Sequence, residues 1–303
     1  MRRVLLAALS AAACAVVALP GIASAAPAGE WAAFAGCPVD DPAMLAADGE
    51  SVIAACLGGG APGGTITLGS TTMSVGAVRF QFGALNRSGT YSLVQPASGG
   101  LSGDPITVPG GLLGLMCPSD IPVISQICDA VVGSPLNTVT ATLEPAGPAT
   151  DFDLSAAVAT GRPIMTLPVK IHLQNPFLDS ACYIGSNADP LTLKVANQNR
   201  PTAKFGRFDA DGTPNPAGEM NYTDLSGATV TDSTFAVPAA RGCGLFGLID
   251  SVVNARQALP SPSGANSLAL TGTGFRLGGF ANPRAFAPTQ GAQLASRWHA
   301  AAA

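Results

Sequence analysis

The side chains that could perform acid–base or nucleophilic chemistry are few in this sequence. It contains two histidines, and His299 lies in the alanine-rich end of the chain, so a serine hydrolase would have to use His172 as its general base. The sequence has no G-x-S-x-G or H-E-x-x-H motif. Lys170 and His172 alternate with apolar residues, which places His172 on the polar face of a predicted strand. The pattern favours an exposed strand histidine, and a secreted hydrolase is only the third functional hypothesis.

Pairs of aspartates offer a second chemistry, because glycoside hydrolysis needs two carboxyl groups about 5–10 Å apart around the sugar. The close pairs in the sequence are Asp40/Asp41, Asp151/Asp153 and Asp209/Asp211. Asp151 and Asp153 would share one face of a strand, at a suitable distance. Sugar sites usually present aromatic platforms as well, and the two tryptophans, Trp31 and Trp298, lie near the ends of the chain. The sequence therefore does not favour glycoside hydrolysis.

The best indication of a metal site is the run Asp209-Ala210-Asp211-Gly212. Alternating aspartates before a glycine open the calcium loop of EF-hand proteins, where carboxylate oxygens surround the cation. The twelfth position, however, is Met220 rather than a bidentate acid. A solvated loop is the favoured interpretation, and calcium binding by Asp209 and Asp211 stays open. We therefore predict no catalytic residue, no metal ligand and no cofactor.

Two segments rich in glycine and leucine, residues 110–116 and 244–249, stand out in a chain with few charges. They could line an apolar groove or a contact surface. They could equally pack beneath the sheets as ordinary core. The sequence does not choose between these interpretations.

The elements that must position these residues are predominantly β-strands. Apolar and polar residues alternate in several runs, as they do in antiparallel sheets that bury one face. The predicted strands lie within residues 65–82, 90–94, 138–143, 169–174, 191–195, 228–237 and 267–273. The predicted fold class is all-β, mainly antiparallel sandwich or barrel-like sheets, with two or three short helices.

Short helices are predicted at three places. The first begins at Ser119 or Asp120 and continues to Val131. A weaker signal covers residues 42–57 and is interrupted near Gly49. The remaining helix has apolar residues at helical spacing, namely Leu245, Leu248, Ile249 and Val252.

The surroundings of two of these helices are similar, which indicates an internal duplication. A glycine- and leucine-rich segment precedes each helix, and a loop and a strand follow it. We therefore expect two pseudo-repeated β-rich halves, residues 26–150 and 151–290. The alanine-rich tail, residues 291–303, is expected to be loose.

Residues 1–25 have the features of a secretory signal peptide. Arg2 and Arg3 precede an apolar stretch, and Ala23-Ser24-Ala25 gives a cleavage pattern, so the mature chain is expected to begin at Ala26. No later segment has ~18 unbroken apolar residues, so no membrane span is predicted in the mature form. Charged residues make up 11% of the chain, which argues against a nucleic-acid partner bound by massed lysine and arginine.

Six cysteines follow the predicted cleavage point: Cys37, Cys56, Cys117, Cys128, Cys182 and Cys243. An even number in an exported chain favours disulfides over a metal site. Proximity along the chain pairs Cys37 with Cys56, Cys117 with Cys128, and Cys182 with Cys243. Cys56–Cys117 and Cys182–Cys243 have equal separations, which leaves open a second scheme of Cys56–Cys117 with Cys37–Cys128.

Four characteristic segments occur together in the sequence: Cys37-Pro38-Val39-Asp40-Asp41-Pro42 and residues 108–115, 175–187 and 232–250. With them the chain resembles a family of secreted proteins of high-GC Gram-positive bacteria, the actinobacteria. The resemblance spans most of the mature chain and implies export and a shared fold. It transfers no catalytic residue. Some members lack the cysteines at 117 and 128 together, which implies that these two bond to each other.

The sequence as a whole predicts a secreted, non-catalytic binding or structural protein, extracellular or loosely associated with the cell surface. Its expected partners are components of the cell envelope. The alternative is a carrier that holds a lipid or a small apolar molecule in a cavity between sheets.

Overall fold

The computed structural model describes residues 26–116, 135–247 and 249–303, and the strands in these ranges form one curled, antiparallel sheet. The predicted all-β class with few helices is confirmed. The strands are β1 (Ile53–Ala61), β2 (Gly63–Leu68), β3 (Thr71–Val75), β4 (Val78–Arg87), β5 (Thr90–Val94), β6 (Leu101–Gly103), β7 (Ile106–Thr107), β8 (Thr140–Pro145), β9 (Pro163–Gln174), β10 (Tyr183–Ile184), β11 (Leu191–Asn197), β12 (Thr202–Phe208), β13 (Met220–Asp232), β14 (Ala240–Arg241) and β15 (Ser267–Phe280).

The helices in the described ranges are short. The α-helices are α1 (Pro42–Leu45), α2 (Gly111–Met116), α3 (Leu154–Ala157), α4 (Asp250–Gln257) and α5 (Gln290–Ala301). The 3₁₀ helices are Gly29–Phe34, Pro135–Asn137, Leu245–Gly247 and Pro283–Phe286. None of the described helices is both long enough and apolar enough to cross a membrane.

Two long strands, β13 and β15, pair with each other. On its other edge, each of them pairs with one strand along its first part and with a different strand along its second part. In β15, residues 267–271 pair with β2 and residues 274–278 pair with β1. In β13, residues 220–226 pair with β12 and residues 230–231 pair with β11. A strand that changes partner in this way turns a corner between two parts of a sheet. The sheet therefore curls, and the strands on opposite sides of the curl face each other across one core.

The two faces of the sheet bury different apolar clusters, and β1 lies between them. Successive residues of a strand point to opposite faces. Leu57 accordingly belongs to the main core inside the curl, whereas Cys56 belongs to a second cluster on the other face. That second cluster is covered by the 3₁₀ helix Gly29–Phe34 and by α5, which contribute Trp31, Phe34 and Leu294. The outer face of β1 is thus closed by both ends of the described chain.

The alanine-rich tail is ordered, so the expectation of a loose segment at residues 291–303 is wrong. It forms most of α5, whose Leu294 and Ala295 are buried in the second cluster. The Trp298 indole N–H donates to the Phe34 carbonyl at 2.8 Å, and the Ala28 N–H donates to the Ala301 carbonyl at 2.9 Å. Alanine composition suggested a frayed end, but small side chains allow this helix to lie close against the sheet.

Two helix predictions need correction. The signal over residues 42–57 corresponds to a helix only at α1, because the segment from Ile53 onwards is β1. Apolar residues buried on both faces of a central strand mimic a helical pattern over a short window. The helix predicted from Leu245 is a 3₁₀ turn followed by α4, in which Val253 is buried and Val252 is exposed.

The boundary predicted near residue 150 does not divide the sheet. β8 pairs with β9 across that point, and β15 pairs with β1 and β2 from the first half. The main core likewise draws residues from both halves. The internal duplication stays a prediction.

Two disulfides tie the described part of the chain. Cys37 bonds to Cys56, and Cys182 bonds to Cys243. These are the pairs that proximity along the chain favours, and the first of them rules out the scheme that joins Cys56 to Cys117. Cys117, Cys128, the helix predicted from Ser119 and the signal peptide lie outside the described residues.

Candidate functional site

Two adjoining apolar cavities lie inside the main core, where strands on opposite sides of the curl face each other. The first has a volume of about 80 Å³ and the second of about 70 Å³. Five residues on five different strands line both: Val78, Leu101, Leu167, Val195 and Leu270. The two cavities are therefore adjacent, and these five side chains lie along the boundary between them.

The first cavity exists because several of its walls carry small residues. Ala61, Ala157 and Ala228 line it together with Gly60 and Gly274. Protein interiors normally pack with few voids larger than a water molecule, and a void forfeits the dispersion contacts of its lining. A space of this kind between well-formed strands is therefore a feature that a ligand can use.

The polar side chains in the wall of the first cavity are Asn197 and Thr273. The Thr273 hydroxyl donates to the Ala228 carbonyl at 2.8 Å. The Asn197 amide nitrogen donates to the carbonyls of Ala157 at 2.7 Å and Ala159 at 3.1 Å. These bonds fix the end of β11 against the helix α3, so the polar atoms are held by the frame of the cavity.

The second cavity extends to the surface at Asp104, an exposed residue that lines it. Asp104 forms an ion pair with Arg79 at 3.2 Å and accepts a hydrogen bond from the Ala77 N–H at 3.3 Å. The other lining residues are apolar apart from Gly103. The second cavity therefore has a charged residue at its rim and apolar walls inside.

His172 lies on the opposite face of β9 from the cavities, since its neighbour Ile171 lines the second one. Its ring stacks on the Tyr183 ring at 4.4 Å, and its Nδ1 lies 3.3 Å from the Glu144 carboxylate. Lys170 completes this cluster, 3.6 Å from Glu144. Burial raises the pKa of the Tyr183 phenol, and the Glu144 carboxylate raises it further. His172 is mostly covered rather than exposed, and its Nε2 has no hydrogen-bond partner in the part of the chain that the structure describes.

The aspartates proposed for sugar chemistry hold local structure instead. Asp153 caps α3, where its carboxylate accepts from the Ser155 and Ala156 N–H groups at 2.7 and 3.1 Å and pairs with Arg162. The Ser155 hydroxyl and then the Ala156 N–H keep the pKa of Asp153 below its usual range. Asp151 has a left-handed backbone, with φ of 57°.

A second aspartate pair, Asp40 and Asp41, lies at the start of α1. Asp41 caps that helix through the Ala43 N–H at 2.8 Å. The Asp40 carboxylate lies 2.8 Å from the Nε2 of His299, and this contact links the residue before the α1 cap to α5. Each of these carboxylates already has a structural partner.

The run at residues 209–212 fastens the amino-terminal segment to the sheet. The Asp209 carboxylate accepts two hydrogen bonds from the Asn215 amide, at 2.9 and 3.0 Å, and Asp211 accepts one from the Thr213 N–H at 2.8 Å. The Trp31 indole donates to the Ala210 carbonyl at 2.9 Å. No group of three acidic, histidine or cysteine side chains suited to a metal occurs within the described ranges.

The glycine- and leucine-rich segments mostly pack as core. Leu115 is buried in the main core, and Leu112 and Ile249 pack against it. Phe246 is the exception, because its side chain is 93% exposed. Leu115 also lines a small pocket of about 30 Å³, and the two larger apolar cavities lie between the strands.

A wider surface cleft of about 570 Å³ runs along the edge strand β12. Phe205 in its wall is 77% exposed. Arg207 and Asn221 also line it, and their side chains make no hydrogen bond or ion pair with the rest of the described chain. The cleft thus combines an exposed aromatic ring with two polar side chains that no described residue engages.

Sequence reasoning missed Asn197, although the strand pattern contains the signal for it. Leu191, Leu193 and Val195 are the inward positions of β11, and the same alternation makes Asn197 inward as well. A polar residue at an inward position calls for a partner. The cavity itself could not be foreseen, because its walls come from strands that are distant in the sequence.

No protein-family model matches this chain, and neither does any curated protein or any solved structure.

Proposed function

We propose that this protein is an exported, non-catalytic binding protein that holds a small apolar molecule in the two adjoining cavities of its main core. The observation that carries the proposal is the shared wall of Val78, Leu101, Leu167, Val195 and Leu270 between two spaces that no side chain fills. Apolar pockets with a few fixed polar groups are the usual sites for small molecules. The predicted signal peptide supports export, and the two disulfides are compatible with it.

The volume of the two cavities limits the size and shape of the ligand. An engineered apolar cavity of ~150 Å³ holds a benzene molecule, and each cavity here is smaller, at about 80 and 70 Å³. A slender ligand that passes through both therefore fits better than a ring confined to one. Burial contributes about 0.8 kcal/mol per CH₂ group, so a six-carbon chain gains about 5 kcal/mol, which corresponds to a dissociation constant on the order of 10⁻⁴ M.

The residues first considered for catalysis support a binding role by their positions. His172 stacks on Tyr183 outside the curl, and Asp153 caps a helix. Neither residue lines the apolar space. A molecule held there would meet hydrocarbon walls, the polar side chains of Asn197 and Thr273, and Asp104 at the rim.

Methyl NMR of the full mature protein in buffer saturated with n-hexane tests the proposal. We expect the methyl signals of Val78, Val195 and Leu167 to shift. Val195→Phe places a larger side chain in the cavity space and should abolish the shifts. The same change at Val158, which is 47% exposed, should preserve them. Unchanged core methyl signals in the wild-type protein would overturn the proposal.

A second candidate function is attachment to an envelope glycan through the cleft along β12. Exposed Phe205 favours it, because an aromatic face can lie against a sugar ring while Arg207 and Asn221 bind hydroxyl groups. A sedimentation assay with insoluble envelope polysaccharide tests this function. Phe205→Ala should release the protein, and Phe246→Ala, which removes an even more exposed ring elsewhere, should not. Equal binding by both variants would contradict this second candidate.

A further inference from the structure

Asn197 brings to the wall of the first cavity one polar atom that no residue in the described ranges uses. The residue is at an inward position of β11, only 3% exposed, and lines the cavity beside Val195. Both hydrogens of its amide nitrogen are used, because they point to the carbonyls of Ala157 and Ala159. Its Oδ1 accepts no hydrogen bond from any described residue.

An amide oxygen that no protein group uses remains open to a donor from a molecule in the cavity. The two bonds made by the nitrogen also determine where the oxygen is, since the amide group is planar and its nitrogen is anchored at Ala157 and Ala159. The oxygen cannot turn away to another partner without breaking both. Asn197 is therefore a fixed acceptor in the wall of an apolar space.

The other groups around this cavity do not serve that acceptor. The Thr273 hydroxyl donates to Ala228, and no charged side chain lines the first cavity. A ligand that brings a donor would satisfy Oδ1. A carboxylate has no hydrogen to donate, and an ammonium group would lose its hydration in a space without a countercharge.

We infer that the ligand is an uncharged apolar molecule with a hydroxyl group, and that this O–H donates to Asn197 Oδ1 while the hydrocarbon part occupies the two cavities. The inference rests on the proposed function, because it assigns the polar end of the ligand that the cavities would hold. A hydroxyl is the smallest donor that fits beside the small residues Ala157 and Ala228.

Two isomeric probes test the inference on the unmodified protein. 1-Hexanol and methyl pentyl ether have the same atoms and nearly the same length, but the ether has no donor. We expect calorimetric titration of the full mature protein to give about tenfold tighter binding for the alcohol, which is the effect of one hydrogen bond. Equal affinities for the two isomers would overturn the inference.

A variant supplies the second measurement. Asn197→Val removes the acceptor and should abolish the preference, so that 1-hexanol and methyl pentyl ether bind this variant with equal affinity. If the variant does not fold, the two isomers still decide the matter on the wild-type protein. Binding of n-hexane without any preference for the alcohol would contradict only this inference. Failure of n-hexane and both isomers to bind would overturn the proposed function as well.

Discussion

The side chain of Gln290 pairs with both backbone groups of Ala54, as a neighbouring strand would. The Ala54 N–H donates to the amide oxygen at 2.8 Å, and the amide nitrogen donates to the Ala54 carbonyl at 2.9 Å. The ladder between β1 and β15 covers residues 56–60 of β1, so Gln290 continues it beyond Cys56. The first residue of α5 thereby closes the open end of a central strand.

Gln290→Ala should lower the free energy of unfolding by about 2–5 kcal/mol, because it leaves a buried donor and a buried acceptor of Ala54 without partners. Gln293→Ala is the matched control on the same helix. Its amide is only partly buried and accepts one bond from Arg297 at 3.2 Å, so its loss should cost less than about 1 kcal/mol. Urea denaturation measures both. Equal losses for the two variants would show that the pairing with Ala54 contributes no more to the free energy of unfolding than a partly exposed hydrogen bond does.

Removal of either described disulfide should destabilise the fold, and the larger loop should matter more. The bonded residues are 19 apart in Cys37–Cys56 and 61 apart in Cys182–Cys243. Loop-closure entropy predicts losses of about 3 and about 4 kcal/mol for the paired alanine variants. Denaturation of each double variant without reductant measures them. Losses near zero would mean that the unfolded chain is not restrained by these bonds.

The strand pattern predicted most of the fold because alternation depends on local sequence. The segment at residues 90–94 is β5, and the segments at residues 169–174 and 191–195 lie within β9 and β11. The order of the tail could not be read in the same way. Its helix is stable because Leu294 is buried in the same cluster as Phe34 and Met44, residues about 250 positions earlier that only the fold brings near.

The candidate site was less predictable than the strands. A space between sheets was foreseen only as an alternative, because its volume depends on which small residues face each other. Ala61 and Ala157, which come from different parts of the chain, both line it. His172, which the chemistry of its side chain singled out, lies on the other face of the sheet.

Acid should weaken the turn before β1 through Asp48. The N–H groups of Glu50, Ser51 and Val52 donate to its carboxylate at 2.8 to 3.0 Å. These bonds, that from Val52 above all, hold the pKa of Asp48 below its usual value of 3.8. A lowered pKa means that the unfolded chain binds the proton first. The stabilisation is therefore present above pH 4 and is lost as the pH falls through the lowered pKa.

Asp48→Asn should thus be less stable than the wild-type protein at pH 7 and should lose less stability between pH 6 and pH 2.5. Glu50→Gln is the control, since it removes a neighbouring exposed carboxylate but leaves the bonds to Asp48. Denaturation curves at a series of pH values give the comparison. An Asp48→Asn curve parallel to that of the wild-type protein would contradict the assignment.

Partial filling of the first cavity should stabilise the protein. Ala61→Val adds two methyl groups at the buried end of β1, where the side chain lines the empty space. Cavity-filling changes of this kind commonly add about 0.5–2 kcal/mol. Valine also favours strands intrinsically, so Ala203→Val on the exposed strand β12 measures that contribution alone. We expect the thermal midpoint of Ala61→Val to exceed that of Ala203→Val, and to rise less than the wild-type midpoint when 1-hexanol is added. A destabilised Ala61→Val protein would show that the walls are already in contact and that the space is too small for a ligand.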